Sequence, residues 1–410
     1  MAYPVKATIF ATAVAFASPA AAEGIKIANI ENFTGPGSTT NREYALAAKY
    51  WADTVNAAGG IKGNNIEYFE YDSQGSTATA AEKFRSAIAD GAQIIVQSGS
   101  SGIAGQLTED VRKHNLRNPE HPVVYLTAGA EALELTGEKC HFYFFRFAPN
   151  AAMRVKALIT VMQKQGALGK KVFAINPNYS WGTDMQTSTE ASAAAGGYAV
   201  VDTVLHETNK SQDFGPYVAR MKSAGADTVI TGSWGNDLIL MMKEIDRTGL
   251  DVSFAAMFLD LPGMIENAGP SSAGYFAVET ANREVGGEAT EKLYADYAAK
   301  LGHTPSSSEV RTIFGMWALQ AALEQVDVSG TLNVTDLAKA LEAVSIDTPM
   351  GKIAVRAEDH QGALPLIVSQ VSADAKFKRE SLDIGLKPVS LVEGAASINP
   401  VQPSCKMQRP

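Results

Sequence analysis

Basic excess is missing from this chain. Its 410 residues carry a formal net charge of −9, and only 19% of them are charged. A groove for nucleic acid or a patch for an anionic membrane surface is therefore not expected. Histidine and cysteine are scarce, at six and two residues. No pair of them has zinc-ligand spacing, and Asp327-Val328-Ser329-Gly330-Thr331 lacks the glycine and glutamate of a calcium loop. No metal or other cofactor is expected. Gly99, Gly102 and Gly105 make neither a dinucleotide fingerprint nor a P-loop, and no lysine stands where a nucleotide loop would want one. After the first two dozen residues no apolar run is long enough to span a bilayer.

What is present begins at the N-terminus. Lys6 precedes a short apolar stretch, Ala7 to Ala17, which leads to Ser18-Pro19-Ala20-Ala21-Ala22. This reads as a secretory signal over residues 1–22, cleaved near Ala22, so the mature chain is expected in the periplasm. Export bears on Cys140 and Cys405. In an oxidising compartment such a lone pair is expected to be bridged, with two inert thiols as the alternative. A bridge would tie down the Pro-containing tail from Lys387, which shows neither helical nor strand periodicity.

From Gly24 onward, short apolar runs alternate with helical patterns. Strands are expected at Ile25 to Ile30, Ile66 to Tyr71, around Ile94 and at Val123 to Leu126, with helices between them. The pattern restarts after Pro149, with strands at Lys171 to Ile175, Tyr198 to Leu205, Thr228 to Thr231 and Ser253 to Phe258. Leu293 to Leu301 and Ile313 to Val326 read as helices without paired strands. Gly351 to Val355 and Leu366 to Ser369 read as edge strands. The fold class is α/β, two doubly wound parallel-sheet lobes with a cleft between them. Ligands in such sheets bind at the carboxyl ends of the strands, so the loops there carry the information.

The loop Val96-Gln97-Ser98-Gly99-Ser100-Ser101-Gly102 joins a strand to a helix. It resembles a nucleophile elbow with its first glycine replaced by serine, but the six histidines are scattered and none stands in a recognisable late-strand loop. A simpler use is to hold a carboxylate on serine hydroxyls and free amides at a helix N-terminus. The next loop, Thr127-Ala128-Gly129-Ala130-Glu131, offers a second small, backbone-rich turn. In the second unit, Trp181 and Trp234 stand at strand-to-helix loops, where aromatic walls suit a small-molecule cleft. Leu240-Met241-Met242 and Phe142-Tyr143-Phe144-Phe145 read as core.

At Asn32-Phe33-Thr34-Gly35-Pro36, Ala58-Gly59-Gly60-Ile61-Lys62-Gly63 and Gly129 to Thr136 (G-A-E-A-L-E-L-T), the sequence resembles the leucine/isoleucine/valine-binding protein family. These are periplasmic solute-binding proteins of ABC importers. The likeness runs from about Gly24 to Ser369 and includes Asp347-Thr348-Pro349-Met350-Gly351 at a lobe crossing. It implies a periplasmic binding protein of type I, two lobes joined by three crossings that close on an amino acid. Lobe one is then expected over 23–148 and 276–346, lobe two over 149–275 and 347–386, and a tail over 387–410. By position, the family's carboxylate-holding serine falls on Ser98, with Ser100 or Ser101 as alternatives. The next loop's backbone contacts fall on Gly129 and Ala130, and a first-lobe side chain on Thr40. Two second-lobe tyrosines become Trp181 and Trp234, and the acid for the ligand's ammonium falls on Asp260. Glu131 replaces a usual threonine and would repel a carboxylate or attract an amine. The resemblance implies a small-molecule ligand, most simply a hydrophobic amino acid, and an ABC permease as partner. An aromatic acid or an amine or amide compound is the alternative ligand. A secreted serine hydrolase or a sensory domain is the alternative class.

Overall fold

The computed structural model describes residues 24–379 and 381–410. The expected signal peptide lies outside the described residues. β1 (Ile25–Glu31), β2 (Ile66–Asp72), β3 (Ile94–Val96), β4 (Val124–Thr127) and β5 (Phe144–Arg146) form one parallel sheet in the order β2-β1-β3-β4-β5. The central strands are short and wholly buried, as apolar runs covered on both faces must be. Phe144 and Phe145 point into this core, as expected for the aromatic run.

β6 (Lys171–Pro177), β7 (Ala199–His206), β8 (Thr228–Thr231), β9 (Ser253–Ala256) and β10 (Phe276–Glu279) belong to a second sheet. Beyond them the chain forms β11 (Ser345–Thr348), β12 (Gly351–Val355), β13 (Gly362–Ala363), β14 (Leu366–Ser372) and β15 (Gly385–Val392). The second sheet runs β15-β14-β10-β9-β8-β6-β7, with β14 antiparallel to both of its neighbours.

Three expectations are corrected here. The boundary at 276 falls on β10, which pairs with β9 and so belongs to the second sheet. β14 is not an edge strand, because it lies between β10 and β15, and β12 lies between β11 and β13. The tail from Lys387 is in part a strand: β15 pairs with β14 across a register shift at Val368/Ser369, where Ser369 faces Pro388. Proline donates no hydrogen bond, so it is tolerated where the ladder is irregular and the strand is at the edge.

Helices Gly287–Leu301, Ser307–Leu323 and Val334–Glu342 return to pack with the first sheet in one apolar cluster. The chain thus passes between the sheets at 147–150, at 280–286 and at 364–365. After β15 it passes back once more. Ser397 donates its hydroxyl to Leu364 O, Gln402 donates to Leu133 O, and Cys405 is bridged to Cys140, with Cα atoms 5.5 Å apart.

Candidate ligand-binding site

The loops at the carboxyl ends of both sheets face each other across a cleft. Thr40, Tyr44, Gly99, Ser101, Gly129 and Glu131 line it from the first lobe, and Tyr179, Trp181, Trp234, Phe258 and Leu261 from the second. About 380 Å³ is free of protein atoms there, mouth included. The lobes touch around it. The Leu133 N–H donates to Asp184 Oδ2 at 2.6 Å, and the Ser307 N–H donates to Asp260 Oδ2 at 2.6 Å. Gly37 begins helix Ser38–Ala57 at φ 79°, and a Cβ there would stand 2.8 Å from the Trp234 ring. The cleft is closed.

Six of the residues singled out by sequence meet in this lining: Thr40, Ser101, Gly129, Glu131, Trp181 and Trp234. Ser98, Ser100, Ala130 and Asp260 do not. Ser98 Oγ accepts the Ala128 N–H at 3.0 Å, and Ser100 caps helix Ser101–Arg117 by accepting from Ile103 N–H. The Ala130 N–H is taken by Thr127 Oγ1. Asp260 spends one oxygen on Ser307, while its other oxygen is buried without a partner. The expected ammonium partner is thus tied to the first lobe by one oxygen and is not among the lining residues.

Two amides of the serine loop, those of Ser98 and Gly99, are also occupied. Glu31 ends β1 and is fully buried. Its Oε2 accepts the N–H groups of Ser98 at 2.8 Å and Gly99 at 3.1 Å. Burial pushes its pKa up to about 7, against the pull of those same amides. The expectation that this loop holds a carboxylate is met by the protein's own side chain.

Glu131 is not a free acid either. Its carboxylate accepts from Arg154 Nε at 2.5 Å and Nη2 at 2.7 Å, and from Arg311 Nη1 at 2.7 Å, with all three side chains at most 2% exposed. Arg154 comes from helix Ala151–Lys164 of the second lobe and Arg311 from helix Ser307–Leu323 of the first. Two guanidinium groups share one carboxylate, and Arg311 Nε is buried without a partner. Arg311 Nη2 also donates to the Tyr44 hydroxyl at 3.3 Å. Ser101 Oγ accepts the N–H groups of Glu131 and Ala132 at 3.1 Å, leaving its own proton available.

The opposite wall is aromatic and fixed. Trp181 donates Nε1–H to Gly232 O at 2.8 Å, and Trp234 donates to the Tyr179 hydroxyl at 3.1 Å. The Phe258 ring centroid lies 5.8 Å from that of Trp181, and the Arg154 guanidinium lies over its face at 5.2 Å.

A family model described as periplasmic binding protein matches residues 24–376. The chain belongs to the periplasmic binding protein family. Within it, the chain is 48% identical over 401 residues to Leu/Ile/Val-binding protein homolog 4 of Brucella melitensis, covering 98% of this chain and 96% of that one. It is also similar to the crystal structure of the leucine-, isoleucine-, valine-, threonine- and alanine-binding protein of Brucella ovis in its closed conformation. That match has a TM-score of 0.90 at 48% identity and covers 95% of this chain and all of the other. A Rhodopseudomonas palustris solute-binding protein in complex with benzoate shares the fold, with a TM-score of 0.78 at 18% identity, covering 94% and 100%.

Sequence reasoning did not single out Tyr44, Gly99, Tyr179, Phe258 or Leu261 in the lining of this binding protein, although Gly99, Tyr179 and Leu261 lie in loops it pointed to. Tyr44 follows Thr40 by four residues on one helix and so shares its face. Phe258 and Leu261 flank Asp260 just past β9, the position where a ligand contact is expected. Glu31, Arg154 and Arg311 were missed as well; each is a charged residue in an otherwise apolar strand or helix.

Proposed function

We propose that this chain binds a small amino acid with an apolar side chain and delivers it to a membrane ABC permease from the periplasm. One observation carries the ligand class. The closed cleft sets a polar corner of Thr40, Tyr44, Ser101 and Glu131 against an apolar wall of Tyr179, Trp181, Trp234, Phe258 and Leu261. A solute with a charged head and a short apolar body fits both sides. The hydroxyls of Thr40, Tyr44 and Ser101 would meet its carboxylate, beside the guanidinium in excess at the Glu131 cluster. Glu131, whose Oε2 accepts one hydrogen bond, keeps acceptor capacity for an ammonium.

Ligand would bridge the lobes, and bending at the crossings, the returning tail included, would close them over it. The names of the relatives at 48% identity support the amino-acid class. Among the described residues, no helix is long and apolar enough to cross a membrane. That fits an exported binding protein whose signal segment, residues 1–22, has been removed.

The aromatic rings of the wall favour an aromatic carboxylate as second ligand class. The hydrolase reading loses its support, since none of Ser98, Ser100 and Ser101 has a histidine partner among the described residues. The serine that does, Ser233 at 2.7 Å from His206 Nε2, is fully buried.

The test is calorimetric titration of the chain from Glu23, freed of carried-over ligand by unfolding and refolding. Leucine, isoleucine, valine, threonine, alanine and 4-hydroxybenzoate form the panel. The expected result is a Kd on the order of micromolar for leucine or its neighbours, about −8 kcal/mol. Binding of 4-hydroxybenzoate alone overturns the amino-acid reading.

A further inference from the structure

β1 and β3 are adjacent parallel strands, with Asn29 paired to Val96. Two residues further on, that register sets the Glu31 side chain beside Ser98. The carboxylate turns under the loop and takes its amides: Ser98 N–H to Oε2, and Gly99 N–H shared between Oε2 at 3.1 Å and Oε1 at 3.2 Å. The Asn32 N–H approaches Oε1 at 3.4 Å, and the Gln97 side-chain oxygen, turned toward the loop, also accepts the Ser98 and Gly99 N–H groups at 3.3 and 3.1 Å and that of Ser100 at 2.9 Å. No lysine or arginine is among these partners. Gly99 is packed so closely that a Cβ would lie 1.4 Å from Asn41 Oδ1 and 2.7 Å from Glu31 Oε1. Gly99 also lines the cleft. Adjacent loop amides just ahead of a helix N-terminus can receive an anion, and here the two that precede the N-cap Ser100 take theirs from the neighbouring strand.

We propose that Glu31 is a specificity-determining residue that permanently fills the first-lobe anion cradle. By holding the Ser98 and Gly99 amides, it bars a solute's carboxylate from them and so fixes which way round the solute lies. The solute's carboxylate must then use the hydroxyls of Thr40, Tyr44 and Ser101. The orientation rests on the proposed function, but the occupancy of the cradle does not.

Two measurements test this separately. Glu31→Ala vacates the carboxylate's place in the cradle, leaving the Ser98 and Gly99 amides shared between the Gln97 side-chain oxygen and any free carboxylate of the right size. Sodium formate should raise the Tm of Glu31→Ala well above the rise given by equal sodium chloride. It should not do so for wild type or for Glu31→Gln, whose amide oxygen still fills the cradle. Equal responses to formate and chloride in Glu31→Ala overturn the occupancy. If Glu31→Ala does not fold, the second measurement decides alone. It is a crystal structure of the wild-type protein with leucine, or with whichever solute the calorimetry identifies. A solute carboxylate clear of the Ser98 and Gly99 amides, with Glu31 still on them, is the expected result. A solute carboxylate on those amides with Glu31 displaced overturns the proposal. Failure of leucine to bind would remove the amino-acid reading and leave the formate result standing.

Discussion

Replacing Glu131 by glutamine removes one negative charge from between two buried guanidinium groups. In the wild type, its carboxylate accepts three charge-assisted hydrogen bonds of 2.5 to 2.7 Å from Arg154 and Arg311. The amide offers one acceptor oxygen and turns its two donors toward groups that are themselves donors. Both arginines then lose the carboxylate that pairs them, leaving only the more distant Asp260 carboxylate acting on Arg154. Removing one partner of a buried ion pair costs about 3–5 kcal/mol. For 410 residues, at about 2.1 cal/mol/K each, the unfolding entropy is about 0.9 kcal/mol/K if the chain melts as one unit. The expected fall in Tm is therefore about 4–6 °C, measured by scanning calorimetry on ligand-free protein. Arg311→Met should cost less, because Glu131 keeps both bonds to Arg154 while the cluster loses its excess positive charge. A Glu131→Gln protein that melts within about 1 °C of wild type, or an Arg311→Met protein that is the less stable of the two, would refute this account of the cluster.

Trp234 and Trp181 both line the cleft, but they differ in what else they hold. Trp234 is half-buried, so Trp234→Ala should weaken solute binding by about tenfold or more with little change in Tm. Trp181 is 2% exposed, so Trp181→Ala should also cost about 3–5 kcal/mol of stability. Calorimetric titration beside thermal melts separates them, and equal loss of Tm in both would contradict the assignment. Glu279 is fully buried near Asp260, and burial raises its pKa to about 8. A carboxyl whose folded pKa lies above its unfolded value binds its proton more tightly when folded, so it contributes stability at low pH that is lost as pH rises toward 8. Denaturant melts of wild type at pH 6 and pH 8.5 should show that loss, and Glu279→Gln should make it smaller; an unchanged slope would remove Glu279 as its source. The Cys140–Cys405 bridge closes a separation of 265 residues. Its removal by the double serine variant should cost about 2–5 kcal/mol and expose residues 393–410 to protease. Resistance equal to wild type would show that the hydrogen bonds of Ser397 and Gln402 hold the tail without it.

The strand–helix alternation was legible because parallel strands covered on both faces are short continuous apolar runs. Ile94 to Val96 and Thr228 to Thr231 could hardly be anything else. Phe276 to Glu279 was missed because no amphipathic helix follows it directly. Its partner is β9 on one side, but on the other it is β14, some ninety residues later. The same distance hid the placement of β14. Its sequence says that it is buried, but only the arrival of β15 makes it internal. The Pro388 that argued against a strand is accommodated by the bulge opposite it, a compensation visible only in the paired structure.

Within the site, position was legible and partnership was not. The rule that ligands meet the carboxyl ends of parallel strands pointed to the serine loop, the Gly129 loop and both tryptophans, and six of those residues do line the cleft. The rule treats each loop's amides as free, however, and whether they are free depends on the strand beside them. Ser98 and Gly99 lie 67 and 68 residues from the carboxylate that occupies them. Glu131 is neutralised by arginines 23 and 180 residues away, one from each lobe. A buried carboxylate is costly alone, so a glutamate in an apolar strand or a glycine-rich turn implies a partner somewhere. Glu31 at the end of Ile25-Lys26-Ile27-Ala28-Asn29-Ile30 and Glu131 amid small residues both carried that implication in sequence. Asking what each would have to pair with, before asking what each could bind, would have led from Glu31 to the strand next to it. It would also have led from Glu131 to the few arginines placed inside apolar helices, Arg154 and Arg311.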